Sequence, residues 1–260
     1  MLEICIDSVA SARAAAVGRA DRVELCSALP EGGTTPPLGL IEAVREVFPG
    51  GLMVLIRPRG HDFLYSADEV ACMCRDIRHA ARAGADGVVI GALSASGEID
   101  TETCHRLIDE AGPLDITFHR AFDMSRDLES SLDQIAGLGI KRILTSGGRA
   151  NAEAGAPMLR KLVLRAGGAV SLMPGGGVTP ENLAVIVRAT GAREIHLSGR
   201  RDVESDMEWR NEECHMGEFT RGREFTRREA DTELISRCRT LLDTCLGGPA
   251  AAATDPVGSK

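Results

Sequence analysis

Val170-Ser-Leu-Met-Pro-Gly-Gly-Gly-Val-Thr-Pro180 reads as an apolar run, a glycine turn and a helix start in immediate succession. Thr179 supplies a capping oxygen, and Pro180 follows at a position that suits the first helical residue. A strand, a tight turn and a helix in this order form the repeating unit of a parallel sheet. The same unit recurs outward from here. Apolar runs lie at Leu2–Ile6, Arg22–Leu25, Leu52–Ile56, Gly87–Ile90, Asp115–Phe118, Arg142–Leu144, Val170–Met173 and Glu194–Leu197. Between them come stretches with helical spacing, such as Val70–Ala83 and Leu128–Leu138. Ser66 and Glu69 form a capping-box pattern. Gly84, Gly112, Gly139 and Gly191 stand where helices should stop.

Eight alternations in a chain of 260 residues predict a (β/α)8 TIM-type barrel. An open doubly wound sheet is the alternative, but the G-x-G-x-x-G turn of a dinucleotide fold is missing after the first two strands. The expected layout is one domain over residues 1–246. Residues 200–230 are charged and aperiodic, and read as an irregular excursion. Asp231 can cap a terminal helix over 231–246, with Leu234, Ile235, Cys238, Leu241 and Leu242 on one face. Residues 247–260 are small and polar and read as a disordered tail.

Composition narrows the function. An apolar fraction of 43% and a charged fraction of 26% are ordinary for a folded protein. A net charge of −8 and few aromatic residues argue against nucleic acid, which needs a basic face or stacking rings. No run approaches the roughly 20 apolar residues of a membrane span. Met1–Ile6 has no basic or apolar leader pattern, so no secretory signal is expected. Eight cysteines without such a signal predict reduced thiols in the cytoplasm. No CxxC pair suggests a zinc finger. Apolar patches on barrel helices leave room for a homodimer or higher homo-oligomer.

Barrel chemistry sits at the C-terminal ends of the strands. Period-two alternation turns Glu3, Cys5 and Asp7 to one face of the first strand, and Glu24 and Cys26 to one face of the second. The two glutamates and both thiols are expected to point into the barrel. The glutamates are either site residues or part of a polar network that plugs it, with Arg57, His119, Arg120 and His196 as partners. Cys5 and Cys26 lie on neighbouring strands. They are either a soft metal site, which suits Cu(I), or small core residues. Arg57, Arg59, His119, Arg120 and Asp123 form a group that can bind an anion, with His119 and Glu24 as an acid–base pair. Ser146, Gly175, Gly176, Gly177, His196 and Ser198 complete an expected anion site, whose glycines equally serve a tight turn. Cys214-His215-Met216 is a weaker metal candidate.

Several stretches resemble one family. Glu3-Ile-Cys5-Ile-Asp7-Ser8, Ala20-Asp-Arg-Val-Glu24-Leu-Cys26-Ser27 and Glu31-Gly-Gly-Thr-Thr-Pro36 are similar to the opening of the CutC copper homeostasis proteins. So are Ile56-Arg-Pro-Arg59 with Asp62-Phe63, Thr117-Phe-His119-Arg-Ala-Phe-Asp123, Leu144-Thr-Ser-Gly147 and Met173-Pro-Gly-Gly-Gly177. His61 stands where that family more usually has Gly. The resemblance implies a (β/α)8 barrel, a cytoplasmic location and Cu(I) held by the cysteines that match Cys5 and Cys26. Two functions are therefore expected. One is copper homeostasis through a thiol copper site. The other is an enzyme acting on a small phosphorylated or carboxylated metabolite, with Glu24, His119 and Asp123 as its catalytic residues.

Overall fold

The computed structural model describes residues 1–216 and 223–247. Eight strands carry the architecture: β1 (Leu2–Ile6), β2 (Arg22–Leu25), β3 (Gly51–Leu55), β4 (Gly87–Ile90), β5 (Asp115–Phe118), β6 (Arg142–Thr145), β7 (Ser171–Pro174) and β8 (Ile195–Leu197). Each falls within a residue of its predicted run. The helices are α1 (Val9–Val17), α2 (Leu38–Val47), α3 (Ala67–Arg82), α4 (Thr101–Ala111), α5 (Leu128–Gly137), α6 (Ala156–Ala166), α7 (Leu183–Thr190) and α8 (Thr232–Cys245). The capping box at Ser66 and Glu69 is formed in full.

All eight strands are parallel, in the order β7-β6-β5-β4-β3-β2-β1-β8. β1 pairs with β8, so the sheet curls into a nearly closed ring. β7 and β8 lie side by side, with no ladder between them among the described residues. Side chains bridge that seam instead. Glu194, just before β8, accepts at 2.8 Å from both Arg142 of β6 and Arg22 of β2. Gly175 suits the crowded seam, because a Cβ there would stand 2.5 Å from the Leu144 Cδ1 and 3.3 Å from the His196 Cβ.

Outward residues Ile4, Ile6, Val23 and Leu25 join the apolar layer beneath the helices. Inward residues form two storeys. The lower is a charged plug in which Arg22 binds Glu3 and Glu194, while Arg142 binds Glu194 and Thr117. The upper holds Cys5, Cys26, Met53, Leu55 and Val89 beside the polar mouth.

Two expectations need correction. Residues 200–230 are not simply irregular: β9 (Arg200–Glu204) and β10 (Thr226–Ala230) form an antiparallel pair. Its residues are mostly charged and open to solvent, so the apolar alternation that marks a half-buried strand is absent. Ion pairs from Arg223 and Arg228 to Asp202 tie it together. The Ala230 amide donates to Ser11 of α1, which seats the pair on the barrel. The helix after β7 begins at Leu183 rather than Pro180. Asn182 accepts from the Thr179 amide, so residues 180–182 are a turn. The terminal helix matches its prediction, and Asp231 caps it through the Leu234 amide. The tail reading, beyond Gly247, lies outside the described residues.

Candidate functional site

Cys5 pairs across β1 and β2 with Glu24, and Cys26 stands one inward position further along. This register puts two thiols and a carboxylate together at the top of the upper storey. The sulfurs are 3.8 Å apart, with Cys5 8% exposed and Cys26 1%. One ligand atom each from Cys5, Glu24 and Cys26 lie within 4.8 Å of one another. Among the described residues no other group of three or more potential metal ligands comes together this way. Cys214 and His215 are exposed, and His215 faces Glu224 instead.

His196 stands between the storeys. Its Nδ1 lies 2.8 Å from Glu3, and its Nε2 lies 3.7 Å from Glu24. Burial works against a charged imidazole, but contacts with Cys5 and Glu3 outweigh it and lift His196 well above its ordinary value. Burial likewise opposes the Glu3 carboxylate, yet His196 and Arg22 hold it down to about 2. For Glu24 the His196 charge pulls the same way but does not prevail. Burial, and then the neighbouring Cys5, push it up to about 8. The thiols divide their roles. A hydrogen bond from Cys26 stabilises the Cys5 thiolate and brings Cys5 down to about 5, while Cys26, as donor, is raised well above its usual value.

Glu3 therefore belongs to the plug, whereas Glu24 faces the thiols. A cavity of about 130 Å³ lies above them, lined by Cys5, Glu24, Cys26, Arg57, His119 and His196 among others. Phe63 and Arg120 connect it to an outer pocket of about 660 Å³. His119 is 5% exposed, and its Nδ1 accepts from the Ala121 amide at 3.1 Å. Burial and the Arg57 charge pull it down to about 3, so its imidazole is neutral.

Other predicted residues are placed differently. Arg59 is turned outward, bound to Glu69, Asp62 and the Leu64 carbonyl, and lines neither cavity. The strand has ended four residues earlier, at Leu55, and the following loop directs Arg59 over the Tyr65 ring. Asp123 is consumed by structure: it pairs with Arg120 and accepts from Thr145, Ser146 and Gly148. Those bonds tie the loops together at a residue that also lines the outer pocket. Ser146 donates to the Arg149 carbonyl. Gly175 stands at the seam, while Gly176, Gly177 and Ser198 line a separate cavity of about 350 Å³ that also touches Cys5, Arg120 and His196. Phe63 and Leu93 were missed as pocket residues. Their sequence signals are position in the loops after β3 and β4 and, for Phe63, its place in the family-like stretch Asp62-Phe63.

Comparisons with known proteins agree with this architecture. The CutC family model matches residues 1–201. A CutC-named protein of Bacteroides thetaiotaomicron is 50% identical over 216 residues, covering 83% of this chain and 87% of its own. The human copper homeostasis protein cutC homolog is 44% identical over 241 residues, covering 93% of this chain and 87% of its own. The crystal structure of a CutC from Streptococcus agalactiae superposes with a TM-score of 0.73 at 33% identity, covering 76% of this chain and 98% of that one.

Proposed function

The chain belongs to the CutC family, and from that premise we propose that it serves copper homeostasis by holding Cu(I) between Cys5 and Cys26. The observation that carries the reading is the pair of buried sulfurs 3.8 Å apart on adjacent strands. Metal–thiolate bonds run to about 2.3 Å, as measured for zinc, so two of them span at most about 4.6 Å. The observed separation lies within that reach. Thiolates are soft ligands and select Cu(I) over harder metals, and two sulfurs suit an ion that accepts low coordination. Glu24 is the third donor at hand.

The donor states support this reading. Cys5 is the ready thiolate, and Cys26 must release its proton to become the second. The Cys26 proton is the one that loading sets free. The same reading puts the chain in the cytoplasm, where its eight unpaired thiols stay reduced. Among the described residues no helix is long and apolar enough to cross a membrane.

Anaerobic titration with Cu(I), in competition with a chromophoric chelator, tests the site. The Cys5→Ser, Cys26→Ser double variant should bind at least a hundredfold more weakly than the parent chain. Unchanged affinity in that variant would reject the thiol site.

A further inference from the structure

Two buried donors at the barrel mouth have no acceptor. The first is on His119. Its Nδ1 accepts from the Ala121 amide, so in the neutral ring the proton sits on Nε2. That Nε2 has no hydrogen-bond partner among the described residues. The second is the Nε of Arg57, buried and likewise without a partner. Both side chains line the inner cavity. A buried donor left unpaired carries its full desolvation penalty, so two on one cavity wall point to an acceptor that arrives with a ligand.

The charge of the wall identifies the acceptor. Arg57 is 6% exposed, and its Nη atoms donate to the carbonyls of Glu31, Gly33 and His61. No carboxylate pairs with it among the described residues, so its positive charge is uncompensated. Arg120, by contrast, is already neutralised by Asp123. Arg57 thus brings to the wall one cation that no carboxylate pairs among the described residues, and the wall offers two N–H donors. That matches a single carboxylate group better than a phosphate dianion, which calls for more cations. The outer pocket supplies the rest of the ligand's environment. Phe63, Leu64, Leu93 and Met124 line it, and Leu64 and Met124 are exposed at 48% and 69%.

We propose that Arg57 and His119 form a binding site for a monocarboxylate whose apolar body lies in the outer pocket against Phe63, Leu93 and Met124. The site shares its inner cavity with the thiol pair but uses other residues, and it holds whether or not those thiols take copper.

Isothermal titration calorimetry on the metal-free full chain tests it, with phenylacetate, phenylacetamide and inorganic phosphate as probes. Phenylacetate should bind saturably, and the neutral amide at least tenfold more weakly. Phosphate should give no saturable heat. His119→Phe keeps a ring in the slot and removes both nitrogens, and should weaken phenylacetate about tenfold. Met124→Glu changes only an exposed side chain at the rim, and should weaken phenylacetate more than the amide. The proposal fails if phenylacetate does not bind or if the amide binds equally well. It fails also if phosphate binds more tightly, or if both variants keep the parent affinity.

Discussion

Glu3 and Glu24 occupy inner faces of adjacent strands, yet their environments drive them to opposite states. Glu3 is ion-paired with Arg22 and bonded to His196. Removing one partner of a buried pair leaves the other charge unmatched, so Glu3→Gln should destabilise the fold by about 3 kcal/mol. Glu24 holds its proton up to about 8 in the folded chain, whereas an unfolded glutamate loses it near 4.5. Between those values the unfolded state sheds a proton that the folded state keeps, so this residue lowers stability as pH rises. Glu24→Gln mimics the protonated acid and should raise stability at pH 7 by about 1–2 kcal/mol, with the gain vanishing below about pH 4.5. Urea denaturation of both variants at pH 4 and pH 7 checks the two signs. Period two in the sequence placed both glutamates inside. It carried no information on their partners, Arg22 from β2 and His196 from β8.

At the scale of elements, the helices were legible because their signals are local. A cap, an apolar stripe and a stop residue lie within one stretch of chain. α8 illustrates this: Asp231 accepts from the Leu234 amide, and Ile235, Cys238 and Leu242 are buried. Asp231→Ala should destabilise the protein by about 1 kcal/mol, read as a lower urea midpoint with an unchanged slope. The β9–β10 pair was not legible, since its residues show solvent-facing charge on both sides. His61 is another local departure. It adopts φ 68°, a left-handed conformation that favours glycine. Its carbonyl nonetheless serves Arg57 at the pocket wall.

For the whole molecule, the plug of Glu3, Arg22, Arg142 and Glu194 ties β1, β2 and β6 across the seam that lacks a ladder. Its acidic members set the acid limit of the fold. Glu3 is held at about 2, below its unfolded value near 4.5, so its stabilisation is complete above pH 4.5. That stabilisation is lost as pH falls through about 2. Glu194 is also held low: burial opposes its charge, but Arg142 and Arg22 prevail. The urea midpoint should therefore fall steeply between about pH 4.5 and pH 2, and Glu3→Gln should flatten that fall. An equally steep profile in the variant would show that the plug does not govern acid unfolding.

The order of strands and helices, and the inward face of the first two strands, were determined by sequence alone, because backbone periodicity and capping act over a few residues. The meeting of particular side chains was decided only by tertiary structure. Glu3 reaches His196 across 193 positions of chain because β1 pairs with β8, a contact no local pattern encodes. The two thiols share a mouth because register sets Cys5 beside Glu24, one step below Cys26. Arg59 was lost from the site, and Phe63 gained, because loop direction depends on what the loop packs against. Which group lies in a barrel's mouth is a property of ring closure, and closure is a sum over all eight strands.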